Sequence, residues 1–340
     1  MRNNQNSNAK KLKVRQNIKY KYSKYTIGLI LLAMIVIMSF VSDRFLTVQN
    51  FQNIIVQASL IVITGLGWTM LLVSGGLDLS VGGVVALSGV LSVGLSTLGV
   101  NTPLCYLVGV LIGTLVGAVN GVLSIGFGIT PLIATLGTMW ITRGAAFLAS
   151  VAISGRLSIY ANINPSFFKI TGFVGKIPIP IILVILLTIV MYFVQNRTTL
   201  GKYSYAVGGS ERTARYSGIA VGKTRFILYI LTGALAGLSG VLLASRMQSG
   251  QPSSGLGFEF EVITAVCLGG ASLAGGEGTI IGTLFGAFLV GVAKNSMNLM
   301  GLQSFYQQII LGTILLSAVI LDMQIKGKGI GRDKLKNMLH

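Results

Sequence analysis

Charge, histidine and cysteine are all scarce in this chain. Only 10% of its residues are charged, against about 25% in soluble domains. The one histidine is the last residue, His340, so a buried imidazole base or a His-based metal site is excluded. The two cysteines, Cys105 and Cys267, stand in apolar runs and imply neither a disulfide framework nor a metal site. Acidic residues number eight. Asp43, Glu211, Asp322 and Asp333 sit at or outside the edges of apolar runs, while Asp78, Glu259, Glu261 and Glu277 lie in or beside glycine-rich stretches. No two form a helical pair in mid-span, as a proton relay wants. A nucleophile elbow is missing too. A membrane enzyme is a poor reading, and no catalytic residue or metal site is expected.

What the chain has instead is apolar sequence: 52% of 340 residues, with a mean hydropathy of +0.78. A bilayer core of roughly 30 Å takes about 20 apolar helical residues. Runs approaching that length fall at 26–42, 54–73, 81–98, 104–125, 130–152, 178–194, 225–245, 261–274, 279–296 and 305–322. The fold class is therefore an all-α polytopic membrane protein with about ten spans. Ile27–Val41 follows a basic stretch but has no small-x-small cleavage site after it, so it reads as an uncleaved first span.

The net charge of +18 raises the question of nucleic acid. Its distribution argues otherwise. Eight Lys/Arg fall in 1–24, six in 197–225 and five in 326–336, or 19 of 26 in three segments flanking apolar spans. Lys and Arg accumulate in the short cytoplasmic segments of membrane proteins. The expected organisation is a basic cytoplasmic segment, 1–25, a transmembrane domain, 26–322, and a basic cytoplasmic tail, 323–340. Six spans before residue 197 return the chain to the cytoplasm, where a loop at about 195–225 is basic again.

That loop contains "ARYSGIAVGKTRF" (214–226), whose Gly222-Lys223-Thr224 is the tail of a phosphate-binding loop. A complete P-loop has glycine five places before Gly222. Ser217 stands there, and the preceding residues are polar rather than a buried strand. Nucleotide binding by this chain is not supported. "SERTARYSG" reads instead as a short helix: Ser210 can cap it, with Glu211 in its first turn. Ala214 and Gly218 recur three and seven residues after Glu211, giving a small-residue face against which a partner can pack.

Glycine is abundant, at 45 residues. "GTLVGAVNGVLSIGFG" (113–128) and "GTLFGAFLVG" (282–291) carry glycines at helix-packing intervals. Those in "SGGLDLSVGG" (74–83) and "LGGASLAGGEG" (268–278) are paired and beside polar residues. They predict broken or re-entrant helices, which at membrane depth must be buried in protein or line a cavity. Gly76–Gly89 and Gly257–Gly270 share five of fourteen positions, with Asp78 opposite Glu259. By the span count the two copies run in opposite directions, an inverted repeat common in transporters. Arg143 is the sharpest intramembrane charge, read as either snorkelling or anchoring a helix. Asn120, Asn295 and Asn298 interrupt apolar runs and default to interhelical hydrogen bonds.

Four blocks together resemble the permease subunit of ribose-type simple-sugar ABC importers. They are "SGGLDLSVGGVVALSG" (74–89), "GAVNGVLSIGFGITPLIATLGTMWITRG" (117–144), "GKYSYAVGGSERTARYSGIAV" (201–221) and "FEVITAVCLGGASLAGGEGTIIGTLFGAFLVGVAKNSMNLMG" (260–301). The likeness implies a ten-span, type II importer-like fold in a bacterial cytoplasmic membrane, both termini cytoplasmic, working as a permease dimer. It implies an ATPase subunit that binds the ATP, so no cofactor here, and an extracytoplasmic solute-binding protein. Glu211, Ala214 and Gly218 look like the family's coupling-helix signature. Asp78, Ser80, Asn120, Thr135, Arg143, Glu259, Asn295 and Asn298 sit in motif positions as translocation-path candidates. The basic N-terminal segment is longer and more basic than the family pattern needs, and reads either as a contact for anionic lipid or as a segment with no specific role. Relatives of this kind carry ribose, other monosaccharides, a furanosyl signalling molecule or nucleosides. An ion-coupled secondary transporter is the alternative reading outside the family.

Overall fold

The computed structural model describes residues 28–325. The expected basic segments, 1–25 and 323–340, fall outside the described residues apart from the last turn of the final helix. The described residues are mostly helical: α1 (Gly28–Val41), α2 (Val48–Val73), α3 (Val81–Thr97), α4 (Thr102–Gly121), α5 (Pro131–Ser154), α6 (Ile179–Arg197), α7 (Thr199–Gly209), α8 (Glu211–Tyr216), α9 (Val221–Met247), α10 (Phe258–Leu268), α11 (Ile280–Leu299) and α12 (Ser304–Ile325). A 3₁₀ segment, Pro165–Thr171, and a two-stranded antiparallel hairpin, β1 (Phe173–Val174) with β2 (Ile177–Pro178), lie between α5 and α6.

Every apolar run coincides with a helix, and α7 and α8 fall in the polar loop. Among the described residues six helices are long and apolar enough to cross a membrane: α2, α4 with its extension to Gly126, α5, α6, α9 and α11. The run expected at 261–274 is shorter than a span. Its helix, α10, has 11 residues, about 16 Å, or roughly half of the hydrocarbon core. Gly269 and Gly270 stop it, Gly270 at φ +87°, where a side chain would be strained. The expected helix over 113–128 also changes character. From Val122 to Gly126 it widens into a π turn, a local insertion that is rare in ordinary helices and frequent at functional sites.

The bundle has an apolar core like a soluble protein's, but its outer helices are apolar on their exposed side as well. α2 is the axis, 83% buried over its central window, whereas α4, α5 and α6 are 28% buried over theirs. Trp68, Leu66, Met70 and Leu71 on α2 are fully enclosed. Trp140, Ile141 and Leu148 on α5 face outward, and apolar side chains facing hydrocarbon need no other partner. α4 and α9 approach through glycines on both helices. A Cβ added to Gly113 would stand 2.1 Å from the carbonyl oxygen of Gly233, so the seam closes only because neither side has one. Where hydrophobic collapse gives no advantage over lipid, close backbone contact of this kind supplies the dispersion energy.

The two repeat copies occupy corresponding places. Each is a glycine-containing turn leading into a short buried helix, α3 or α10, with Val81, Val85, Val262 and Val266 in the core. They also meet: a Cβ on Gly82 would lie 2.3 Å from Glu259 Oε2.

Candidate functional site

Three interruptions of helix matter here: residues 74–80 between α2 and α3, 248–257 between α9 and α10, and 269–279 between α10 and α11. In hydrocarbon, a broken helix leaves carbonyls that each cost several kcal/mol if unmet. Side chains meet them. Trp68 Nε1–H donates to the Asp78 carbonyl at 2.7 Å, Tyr229 O–H to the Leu77 carbonyl at 3.2 Å and Arg225 Nε–H to the Ser74 carbonyl at 3.0 Å. Tyr205 and Gln195 both donate to Gly278 O, while Ile280 N–H donates to Gln195 Oε1 at 3.0 Å.

Four of the sequence candidates gather at the first interruption. Asp78 Oδ1 accepts from the Ser80 N–H at 2.8 Å and the Ser80 hydroxyl at 2.6 Å. Asn120 Nδ2 reaches Ser80 Oγ at 2.8 Å and Asp78 Oδ1 at 3.3 Å. Thr138 Oγ1–H closes the chain onto Asn120 Oδ1 at 2.6 Å. Thr135 joins through its carbonyl, 3.1 Å from the Thr138 hydroxyl, its own hydroxyl being spent on Pro131 O. All five side chains are buried. The network ties the turn before α3 to α4 and α5, so relative movement of these helices must break it. Asn120→Leu removes the hydrogen bonds to Asp78, Ser80 and Thr138, at about 0.5–1.5 kcal/mol each because Ser80 and Thr138 keep their other partners, and is expected to lower the melting temperature of detergent-purified protein. An unchanged melting temperature would remove the network's structural role.

Arg143 and Glu259 form a second cluster. Arg143 does not snorkel. It is buried, and its guanidinium donates to Pro252 O at 2.7 Å, to Ser254 O and to Gly255 O at 3.2 Å. Three carbonyls from one turn satisfy the fork that makes arginine, rather than lysine, suited to the place. Thus the second interruption is pinned to α5, beside Glu259 and the glycine face of α3. Asn295 lies elsewhere: it exchanges hydrogen bonds of 2.8 and 3.1 Å with Asn50, near the start of α2. That is roughly 35 Å along α2 from the Asp78 end, at 1.5 Å per residue. Asn298 is exposed at the end of α11 and accepts from Gln307 at 2.8 Å. The candidates therefore make two linked clusters and two outliers, not one lined path.

The 195–225 loop is the third part. Ser210 caps α8 as expected, its Oγ accepting from Thr213 N–H at 3.3 Å. The small-residue face is a correction. Ala214 turns inward and is buried with Val207 and Val221, and Gly218, at φ +78°, ends the helix. What α8 presents outward is Arg212 and Tyr216, with the guanidinium carbon 5.6 Å from the ring centroid. The cause is amphipathicity: in a six-residue helix the single alanine is the only residue small and apolar enough to pack under it. Glu211 instead bridges Arg215 and Arg225, at 2.8 Å each. The Arg215 hydrogen bond, more than Arg225's, holds its carboxyl below the ordinary carboxylate range. Gly222-Lys223-Thr224 forms the first turn of α9, with the Thr224 hydroxyl bound to Ala220 O at 3.0 Å. It follows a helix and not a strand, as the failed P-loop spacing implies.

The loop touches both glycine-rich breaks. Gly276 N–H donates to Val73 O at 2.8 Å, and Gly208 of α7 packs against both Val73 and Gly276. Arg225 joins Glu211 to Ser74 O. Sequence reading missed Arg225, Trp68, Tyr229 and Thr138. Arg225 registers only as one more basic flank, and Thr138 carried a usable signal, three residues after Thr135 on the α5 face. Among the described residues no group of three His, Cys, Asp or Glu is placed to hold a metal. Among the described residues the arrangement is one of helix breaks, side chains that anchor them and a basic loop packed against two of them.

Residues 50–319 match the family described as branched-chain amino acid transport system / permease component. Ribose import permease protein RbsC of Escherichia coli (strain K12) is 36% identical over 293 residues, 86% of this chain and 91% of that protein. RbsC of Bacillus subtilis (strain 168) is 38% identical over 293 residues, with coverage of 86% and 90%. The D-allose transport system permease protein AlsC of Escherichia coli (strain K12) is 35% identical over 306 residues, with coverage of 89% and 93%. No solved structure matches the chain. An all-α membrane bundle without catalytic groups, matched over most of its length by transport permeases, belongs to the branched-chain amino acid transport system / permease component family.

Proposed function

We propose that this chain is the membrane permease subunit of an ATP-binding-cassette importer for a monosaccharide of the ribose type. A separate ATPase subunit docks on the α7–α8 loop and binds the ATP. An extracytoplasmic binding protein delivers the solute, and a second permease copy completes the pathway. Both termini are cytoplasmic, as the three basic segments favour. The observation that carries the reading is the contact of one basic loop with both glycine-rich breaks: Gly276 N–H to Val73 O at 2.8 Å beside Gly208, and Arg225 between Glu211 and Ser74. Movement imposed on α7 and α8 is delivered directly to the two hinges. ATP-driven closure of the partner then biases an equilibrium between inward-open and outward-open states by its differential affinity for them.

The relatives named for ribose and D-allose, with the L-arabinose ABC transporter permease protein AraH of Azospirillum brasilense at 37% identity, support a monosaccharide. A furanosyl signalling molecule or a nucleoside is the alternative cargo. An ion-coupled mechanism is disfavoured because acids at membrane depth are few, and the two buried ones stand apart: Asp78 Oδ1 is held by Ser80 and Asn120, and Glu259 lies beside Arg143. The test is reconstitution of the chain with its ATPase and binding protein in liposomes. Uptake of ribose, allose or arabinose should require ATP and persist after proton and sodium gradients are collapsed. Uptake by the permease alone, driven by a gradient, would end the proposal.

A further inference from the structure

A cavity of about 330 Å³ opens between the start of α2, the end of α9 and the 3₁₀ segment that follows α5. This is the end of α2 remote from Asp78 and from the α7–α8 loop. Gln49, Gln52 and Asn53 line it from one face of α2, at i, i+3 and i+4. Phe168 and Phe173 line it opposite, and Arg246 enters from the last turn of α9.

We infer that this cavity is a receiving site for one neutral sugar ring, on the extracytoplasmic side, an inference that rests on the importer reading above. Its volume is at the lower end for small-ligand sites, enough for a single ring rather than an oligosaccharide. Among the described residues, the half-buried Arg246 guanidinium has no hydrogen-bond or ion-pair partner, the Gln49 and Asn53 amides are exposed and also have none, and the Gln52 amide reaches Lys176 O only at 3.5 Å. Donors and acceptors held together and unspent are what vicinal hydroxyls need, and two phenyl groups supply apolar surface for a ring face. Arg246 is the only charged residue in the lining. Its charge is partly offset by the carbonyl end of α9, which favours a neutral polyol over an anion. Gln248, the left-handed cap at φ +51° that ends α9, also lines the cavity.

The test uses the full transporter, with ATPase and binding protein, in liposomes. Gln52→Ala/Asn53→Ala is expected to lower D-ribose uptake about tenfold. ATPase stimulation by the loaded binding protein should stay within twofold of the unsubstituted complex. Arg246→Lys keeps the charge and loses the fork; it should change the ratio of D-ribose, D-allose and L-arabinose uptake rates. If stimulation falls together with uptake and the sugar ratio is constant, the cavity docks the binding protein and the inference is overturned. Unchanged uptake in all variants overturns it as well. Failure of the unsubstituted complex to import any sugar is a different result and strikes the importer reading instead.

Discussion

Replacing Arg225 by alanine should cut sugar uptake by the assembled transporter at least tenfold and lower ATPase stimulation by the loaded binding protein. The helices should still assemble. Arg225 holds two things at once: Glu211 Oε2 at 2.8 Å and Ser74 O at 3.0 Å. The ion pair is partly exposed, so its own contribution to stability is about 1 kcal/mol or less. The carbonyl of Ser74 is buried and loses its charged donor, which costs about 1–3 kcal/mol locally. A fold of this size survives that. What does not survive is the link from α8 to the first glycine-rich break. Arg225→Lys should recover only part of the activity, because one ammonium cannot serve both partners in the fork geometry. The link is insensitive to mild acid. Glu211 is held below the ordinary carboxylate range by Arg215 first and Arg225 second. Its contribution is therefore present across neutral pH and lost only as pH falls below that range. Wild-type uptake and stimulation in Arg225→Ala would show that the loop signals by another route.

The second large effect is expected at a pair of adjacent glycines. Gly208→Ala should leave little transport-competent protein, whereas Gly209→Ala should behave as wild type. A Cβ at Gly208 would stand 1.7 Å from the Val73 carbonyl oxygen and 2.6 Å from Gly276 N. Both are backbone atoms and cannot rotate aside, so α7 must move away from the two breaks at a cost of about 3 kcal/mol or more. A Cβ at Gly209 meets nothing within 4 Å, and its change should stay within about 0.5 kcal/mol. Fluorescence-detected size-exclusion chromatography, followed by uptake in liposomes, separates folding from function. Equal behaviour of the two variants would mean that α7 does not sit against the breaks.

Much of the architecture was legible in the sequence because membrane burial writes a simple code. Each apolar run became a helix, since hydrocarbon forces every backbone group into internal hydrogen bonds. The breaks at 74–80 and 269–279 were marked by paired glycines, whose positive φ at Gly75, Gly275 and Gly276 only that residue adopts without strain. Ser210 was readable as a cap from its type and place. Other features were not readable in this way. The inward turn of Ala214 depends on what lies beneath α8, namely Val207 and Val221 from either side of it. Asn295 and Asn120 look alike along the chain, yet one pairs with Asn50 and the other with Asp78 and Ser80.

Composition and order alone determined that this protein crosses a bilayer repeatedly and where its helices fail. Those are local consequences of solvent and backbone chemistry. Only the tertiary structure decided which distant carbonyl each buried donor satisfies. Arg143 could serve any unmet turn until 252–255 was folded against α5, and Arg225 any acid until Glu211 and Ser74 stood on either side of it. Partners separated by 109 to 151 residues are chosen by packing, because a buried donor bonds whatever the fold brings within 3 Å of it.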